Sequence, residues 1–343
     1  MSVSAAVFGC AGIALDDAER AFFRAAQPWG FILFARNIDT RDQVRRLTAS
    51  LRDAAGHEAQ ILIDQEGGRV QRLRPPQWHR YPPGRAYGTV HSADTESGIE
   101  AARLGARLIA EDLRDLGITI DCLPVLDVPV PGAHDVIGDR AYAQTPDDVA
   151  ALGRAAADGL LAGGVLPVMK HIPGHGRAGV DSHKSLPVVS AARRELEETD
   201  FRPFRALRDL PLAMTAHVVY AAIDPDVPAT TSKKVIGEIV RGHIGFDGLL
   251  MSDDLSMEAL AGDLGARARA SLAAGCDVVL HCNGRMAEME AVAGEVPLLA
   301  GIARTRAESA EAMRLRRAEA LDLAENHARL AEILADYGQD RWG

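Results

Sequence analysis

The stretch that decides the fold is Val165-Leu-Pro-Val-Met-Lys170-His-Ile-Pro-Gly-His175-Gly176. Its apolar part, residues 165–169, is typical of a buried strand. Pro173, Gly174 and Gly176 exclude a regular helix or central strand through the residues that follow, so we expect an irregular loop there. Polar side chains concentrated just past the end of a buried strand are the usual composition of an active site in an α/β protein.

The same alternation of short apolar runs and helical patterns continues almost to the end of the chain. Eight expected strands with intervening helices predict an α/β fold with a parallel sheet, and eight is the number that closes a (β/α)8 TIM-type barrel. An open, doubly wound sheet is the competing architecture. We expect one barrel domain over residues 1–343, with surface helices at about 302–337. The expected strands are 5–10, 30–34, 60–64, 118–126, 165–171, 212–217, 248–252 and 276–281, and helical spacing covers 40–54, 96–116, 146–161, 191–207 and 232–241.

Polar and charged residues follow nearly every expected strand on its C-terminal side. In a barrel these ends meet on one rim, where barrel enzymes hold their active sites. Loops begin at strand ends, which accounts for one or two polar residues but not for a charged or hydrogen-bonding group at nearly every strand. The pattern therefore predicts an enzyme whose active site lies on this rim. The residues are Arg36, Asn37, Asp64, Gln65, Glu66, Asp127, Lys170, His171, His217, Asp253, Asp254 and Asn283.

Composition narrows the class of protein. The chain has 343 residues and a formal net charge of −10, which argues against non-specific binding to nucleic acid or to a membrane surface. It lacks an apolar stretch of the length that spans a membrane. The apolar start of the chain has no preceding Lys or Arg, as a secretory signal would require. The four cysteines lie in or beside apolar runs and read as reduced, buried thiols, so we expect a cytoplasmic protein with no protein partner implied.

The segment Asp64-Gln-Glu66-Gly-Gly-Arg69-Val-Gln-Arg72 places two acids and two arginines after an expected strand. Acids beside arginines form structural ion pairs. They equally bind the hydroxyls of a polyol, because carboxylates accept hydrogen bonds and guanidinium groups donate them. The spacing alone leaves both interpretations open.

Asp253 and Asp254 lie together at the end of another expected strand. Neighbouring residues of an extended chain point to opposite sides. One aspartate can therefore face the barrel mouth, while the other turns toward the wall or a helix N-terminus. Two exposed surface acids are the alternative interpretation.

His171, His175, Asp181 and His183 permit two chemistries. Together they could bind a metal, but the proline and glycines between the first two histidines break the helix on which that spacing makes a zinc motif. Asp181 and His183 are two residues apart, so in an extended loop their side chains lie on one side. A carboxylate there can orient the imidazole and raise its pKa, which makes a proton shuttle near neutral pH.

Taken together, these motifs resemble glycoside hydrolase family three, and more narrowly its bacterial β-N-acetylhexosaminidases that act in cell-wall recycling. The similar segments cover most of the chain, and Lys-His-x-Pro-Gly-His-Gly followed by Asp-Ser-His is highly specific to this branch. The chain resembles the compact single-barrel type without a second C-terminal domain. The similar segments are 30–37, 63–72, 124–127, 137–140, 170–183, 214–217 and 251–257.

The resemblance implies the roles of the site residues. Asp253 is expected to be the nucleophile that forms a glycosyl-enzyme ester. His183 is expected to be the general acid and then the general base, with Asp181 as its partner. The resemblance implies neither a metal nor a cofactor. The residues implied to hold the sugar are Asp64, Arg72, Arg140, Lys170 and His171.

These roles predict a retaining exo-β-N-acetylglucosaminidase that removes terminal GlcNAc from GlcNAc-1,6-anhydroMurNAc and its peptides. A phosphorylase acting through the same ester is one alternative, because a neutral histidine would not repel phosphate. A barrel metallohydrolase that uses the histidine cluster is another. A catalytically inactive sugar-binding module is the third.

Overall fold

The expected apolar runs form parallel strands that close into a barrel. The computed structural model describes residues 3–132, 134–179, 186–316 and 318–338. Within these residues the barrel strands are β1 (Ser4–Gly9), β2 (Pro28–Leu33), β3 (Gln60–Ile63), β6 (Ile120–Asp121), β7 (Leu166–Ile172), β9 (Leu212–Thr215), β11 (Leu249–Asp254) and β12 (Val278–His281). Neighbouring strands are hydrogen-bonded in the order β1-β12-β11-β9-β7-β6-β3-β2, and β2 pairs with β1 to close the barrel. The predicted (β/α)8 barrel is confirmed, and the open sheet is wrong.

Two small sheets lie outside the barrel. β4 (Gln65–Gly67) and β5 (Val70–Gln71) form an antiparallel hairpin directly after β3. β8 (Val188–Val189) pairs in parallel with β10 (Val219–Tyr220). Both sheets follow the C-terminal ends of barrel strands and so belong to the rim.

Helices connect the strands, and their starts follow from local sequence. The side chain of Asp16 accepts a hydrogen bond from the Glu19 backbone N–H, and Pro146 opens its helix after the Thr145 cap. Such residues satisfy backbone donors that a helix start leaves unpaired. The helices are α1 (Asp17–Ala26), α2 (Arg41–Ala55), α3 (Gly84–Ala93), α4 (Thr95–Asp115), α5 (Pro146–Ala162), α6 (Arg193–Glu198), α7 (Arg202–Ala206), a π-type helix (Val235–His243), α8 (Leu264–Ala274), α9 (Met286–Ala293), α10 (Gly301–Arg314) and α11 (Leu323–Asp336). None of the described helices combines the length and the apolarity that crossing a membrane requires.

Two expected elements differ most from their patterns. The strand expected over 118–126 contains β6, and beyond it an isolated bridge pairs Val125 with Lys170. Pro124 between them has no N–H to donate to a ladder. The helix expected over 191–207 is divided into α6 and α7. Pro203 lies in the first turn of the second helix, and buried Asp200 between the two accepts a hydrogen bond from Arg177.

The barrel interior is filled by alternate side chains of its strands, including Val7, Ile32, Leu62 and Met251. Ala307 and Ala310 of α10 join this interior cluster, so α10 packs against it with its small, buried face. α11 instead packs against α3 and α4 in the outer layer. The strand starts are thereby packed with apolar groups, and the polar groups remain at the opposite rim.

Candidate active site

Side chains from several strand ends surround one pocket on the C-terminal rim. Its volume is about 190 Å³, which is many times the roughly 10–15 Å³ that a single water occupies. It therefore has room for a small organic ligand. The lining residues are Ile32, Phe34, Asp64, Glu66, Val70, Arg72, Arg140, Lys170, His171, Met214, Asp253, Asp254, Met257, Leu280 and Cys282.

Asp64, just past β3, is held by two cations. Lys170 Nζ lies 2.8 Å from its Oδ1, and Arg72 donates to its Oδ2 at 2.9 Å. Each carboxylate oxygen has two lone pairs, so one remains on each for a ligand hydroxyl. The guanidinium of Arg72 also lies over the Phe34 ring, 5.3 Å from its centroid. Asp64 is therefore an oriented acceptor between two donors.

Glu66, on β4, joins the same ion-pair network. The guanidinium group of Arg140 donates one hydrogen bond of 2.8 Å to each carboxylate oxygen of Glu66. Lys170 Nζ lies 2.6 Å from Glu66 Oε1. Arg140 comes from a 3-10 turn (Gly138–Arg140) far along the chain. Arg140, one of the expected sugar-binding residues, therefore lines the pocket, and its guanidinium group is bound to Glu66.

The hairpin that carries Glu66 is shaped by Gln65 and Gly67. Gln65 Oε1 accepts hydrogen bonds from the backbone N–H groups of Arg72 and Leu73, which returns Arg72 to a position beside Asp64. Gly67 has φ 93°, and a Cβ there would lie 2.2 Å from the carbonyl oxygen of Pro82. Only glycine fits this close approach.

The cations set the ionisation of both acids. Burial raises the pKa of Asp64, but Lys170 and Arg72 outweigh it and hold the pKa below its usual value. Burial likewise raises the pKa of Glu66, but Arg140 and Lys170 outweigh burial and lower this pKa. Arg72, Arg140 and Lys170 thus place three cations around these two carboxylates, on the wall of the pocket that Asp253 and Asp254 also line. Nearby cations favour the ionised form of a carboxyl group.

His171 and His175 are both organised by Asp127. His171 Nδ1 lies 2.7 Å from Asp127 Oδ2, and the backbone N–H of His175 donates to Oδ1 at 2.6 Å. Burial raises the pKa of Asp127, but the charge of His171 outweighs burial, and the pKa is lowered to about 2. Burial, followed by the charge of His171, lowers the pKa of His175 to about 4. His175 is therefore neutral near pH 7, and His171 is the histidine that lines the pocket.

Asp253 and Asp254 both line the pocket, but they make different contacts. Asp253 Oδ1 accepts a hydrogen bond from the Asp254 backbone N–H at 2.8 Å. The Asp254 carboxylate accepts from Ser256, from both its N–H at 3.0 Å and its Oγ, and from the Cys282 N–H at 3.1 Å. Asp254 therefore closes the turn after β11, and Asp253 lies on the wall of the same pocket as Asp64, Arg72 and Lys170.

The expected acid/base pair, Asp181 and His183, lies outside the described residues. Within the described part of the chain, no group of three or more His, Cys, Asp or Glu residues is arranged to hold a metal ion. His171 and His175 have ring centroids 5.6 Å apart. His171 Nδ1 is engaged by Asp127, 2.7 Å from its Oδ2.

Six of the eight predicted site residues meet at one pocket: Asp64, Arg72, Arg140, Lys170, His171 and Asp253. Two further residues of this network lie outside the predicted set. Glu66 belongs to the Asp64–Arg72 segment, whose spacing does not distinguish a buried ion pair from a ligand contact. Asp127 ends a strand region like the others, yet its link to His171 is a tertiary contact between separate segments.

Comparison with known proteins agrees with this geometry. The model of the family described as "Glycosyl hydrolase family 3 N terminal domain" matches residues 9–315 of this chain. The chain is similar to a "Beta-hexosaminidase" of Alkalilimnicola ehrlichii, with 41% identity over 81% of this chain and 80% of that protein. A "Beta-hexosaminidase" of Tolumonas auensis is 39% identical over 88% of this chain and 87% of its own length.

Solved structures show the same likeness over nearly the whole length. NagZ from Neisseria gonorrhoeae in complex with zinc ion is 30% identical, with a TM-score of 0.83 and 99% of both chains covered. NagZ from the same organism in complex with N-trifluoroacetyl-D-glucosamine is 31% identical, with a TM-score of 0.81 over 99% of both chains. The chain therefore belongs to glycosyl hydrolase family 3, on its β-N-acetylhexosaminidase branch.

Proposed function

We propose that this glycosidase removes terminal β-linked GlcNAc from peptidoglycan fragments, GlcNAc-1,6-anhydroMurNAc and its peptides, during cell-wall recycling in the cytoplasm. In this proposal one barrel domain over residues 1–343 carries the active site, and the reaction uses no cofactor. Four buried thiols without disulfides among the described residues fit a reducing compartment. Relatives named beta-hexosaminidase and a NagZ bound to a glucosamine derivative support the sugar specificity.

The observation that carries the proposal is the placement of Asp253 in one pocket with Asp64, Arg72 and Lys170. A terminal sugar needs acceptors and donors for its hydroxyls, and the Asp64 ion-pair network supplies both. An ionised carboxylate on the wall of the same pocket is positioned to attack the anomeric carbon. In this proposal an Asp253 oxygen forms the ester bond while the bond from the anomeric carbon to the leaving oxygen breaks.

The two steps of the reaction also require an acid and a base. We assign His183 to both tasks, with Asp181 orienting its imidazole. His183 gives a proton to the leaving oxygen in the first step and takes one from water in the second, so the ester is hydrolysed with net retention at the anomeric carbon. His171, fixed by Asp127, would donate a hydrogen bond to a sugar hydroxyl or to the acetamido group.

The test is turnover of 4-nitrophenyl β-N-acetylglucosaminide by the wild type and by Asp253→Asn, in the presence of a chelator. We expect chelator-resistant activity that falls by at least about 10³-fold in the variant, because the amide cannot form the ester. Glu258→Gln, a nearby exposed acid in the connection after β11, is the matched control and retains activity. A 2-fluoro sugar should label Asp253 in the wild type. Full activity of Asp253→Asn, or labelling of another residue, overturns the assignment.

The same assay separates the alternatives. Sugar 1-phosphate formed with added phosphate would identify a phosphorylase, and free GlcNAc in both conditions a hydrolase. Activity lost in chelator and restored by zinc would identify a metal-dependent enzyme. Release of GlcNAc from GlcNAc-1,6-anhydroMurNAc, and none from internal positions of longer chains, tests the proposed substrate and the exo mode.

A further inference from the structure

We propose that Thr215, Thr230 and His217 form a directed chain of hydrogen bonds that positions the nucleophile by holding the backbone on both sides of it. The inference deepens the proposed function and rests on Asp253 being the nucleophile. All three are positioning residues. None of them lines the pocket that surrounds Asp253.

The chain begins where the pairing between β9 and β11 ends. The backbones of the two strands stay in register from Leu249–Leu212 to Met251–Met214. Beyond this pair, two residues along β11 and one along β9, the Asp253 N–H donates to Thr215 Oγ1 at 3.3 Å. A side-chain hydroxyl of β9 therefore takes the place of a backbone carbonyl, at the residue that needs exact placement.

The chain continues through buried groups and returns to β11. Thr215 Oγ1 and Thr230 Oγ1 are 2.7 Å apart, and Thr230 Oγ1 is 2.7 Å from His217 Nδ1. His217 Nε2 lies 3.0 Å from the carbonyl oxygen of Asp254. All three side chains are fully shielded from solvent. The chain thus runs from the N–H of Asp253 to the C=O of the next residue.

The chemistry of the groups determines which atom carries each proton. A backbone carbonyl only accepts, so His217 Nε2 must carry the hydrogen and donate to the Asp254 oxygen. In a neutral imidazole, Nδ1 is then an acceptor, and Thr230 must donate to it. Thr230 has one proton, so it accepts from Thr215. Thr215 in turn accepts from the Asp253 N–H.

One competing contact can be decided by distance. Thr230 Oγ1 also lies 3.2 Å from the Ala216 carbonyl oxygen. If its proton went there, the lone pairs of Thr230 Oγ1 and His217 Nδ1 would face each other at 2.7 Å in a site without water access, which is costly. The shorter contact therefore takes the proton. Burial also lowers the pKa of His217, which agrees with a neutral ring.

The chain complements the contacts of Asp254. The carboxylate of Asp254 fixes the turn that follows β11 through Ser256 and Cys282, as described above. The Thr215–Thr230–His217 chain fixes the Asp253 N–H and the Asp254 carbonyl group. With both sides held, the Asp253 carboxylate can approach the anomeric carbon without a reorganisation of the backbone during the reaction.

Kinetics of isosteric variants test this role. Thr230→Val removes the hydroxyl and keeps the shape, and it should lower kcat by about 10- to 100-fold with KM changed by less than about 2-fold. Thr230→Ser restores the hydroxyl and should recover most of kcat. Thr231→Val removes the neighbouring hydroxyl of the same 3-10 turn (Ala229–Thr231) and should behave as wild type. Equal kcat in Thr230→Val and wild type, or a loss confined to KM, overturns the proposal.

A second measurement does not depend on activity. Long-range ¹H–¹⁵N spectra of the folded protein, with the His217 signals assigned by His217→Gln, report which ring nitrogen carries the proton. We expect the Nε2–H form in the wild type and a change in its Nδ1 signal in Thr230→Val. The Nδ1–H form would overturn the chain even in an active enzyme. If the wild type fails to cleave the glycoside while the Nε2–H form is observed, the proposed function fails and the hydrogen-bond chain stands.

Discussion

Lys170 shows how one side chain connects the stability of the protein to its site. Its side chain is 3% exposed, and its ammonium reaches Asp64 and Glu66, which come from a different strand end and from the hairpin. Without the cation between them, the carboxylates of Asp64 and Glu66 would repel each other. A compact ammonium can approach both oxygens at once, which the planar guanidinium of arginine does less readily.

We expect Lys170→Met to lower the free energy of unfolding by about 3–5 kcal/mol, because it leaves two buried carboxylates without their shared cation. Urea unfolding monitored by circular dichroism measures the change. Lys233→Met removes an exposed lysine and serves as the control, with an expected change within about 0.5 kcal/mol. Equal destabilisation by the two substitutions would show that the buried network contributes little.

At the scale of elements, the hairpin of β4 and β5 turns a strand end into a binding wall. It carries Glu66 at its start, and Arg72 follows its end. Its turn at Gly67 and Gly68 packs under the backbone of Pro82 and the ring of Pro83. The loop over residues 73–83 therefore supports the hairpin, although none of its side chains lines the pocket.

Gly67→Ala should therefore lower both activity and stability. The added Cβ would meet the Pro82 carbonyl oxygen at 2.2 Å, and the positive φ is strained as well. We expect a loss of more than about 2 kcal/mol in unfolding free energy, together with reduced kcat/KM on the aryl glycoside. Gly56→Ala is the matched control. Gly56 also has a positive φ, but no atom lies within 4 Å of its added Cβ, so we expect about 1 kcal/mol of strain and unchanged activity.

At the scale of the whole molecule, buried titratable groups make stability depend on pH. The pKa of His175 is lowered to about 4 and that of His217 is lowered, in both cases mainly by burial. The unfolded chain binds these protons near its ordinary histidine pKa of about 6.5, so stability falls as the pH drops from there toward 4. Asp64, Glu66 and Asp127 have lowered pKa values, so their stabilisation is present above about pH 4 and is lost below it.

We expect the free energy of unfolding to fall by roughly 1–3 kcal/mol between pH 7 and pH 5, measured by urea titration at each pH. Burial raises the pKa of Asp121, which produces the opposite slope. Comparison of the wild type with His175→Gln isolates the histidine contribution, because the variant should lose part of the fall. A wild-type stability that is constant or increases toward pH 5 would contradict the expected ionisation states.

The sequence by itself determined the barrel and its functional rim. Apolar runs of strand length, separated by helical patterns, have few ways to bury their apolar faces, and parallel strands place all their carboxyl ends on one side. The polar residues after those runs, among them Asp64, Lys170, His171 and Asp253, are therefore predictable from the sequence as one site.

Only the tertiary structure decided the partners within that site. Glu66 meets Arg140 across 74 positions, and Asp127 meets His171 across 44. Thr230 reaches His217 from a separate turn. No local period or spacing encodes such pairings, because they depend on how strands and loops are placed once the barrel closes. Burial then sets the cost of leaving each polar group unpaired, and this cost selects the network of ion pairs and hydrogen bonds around Asp253.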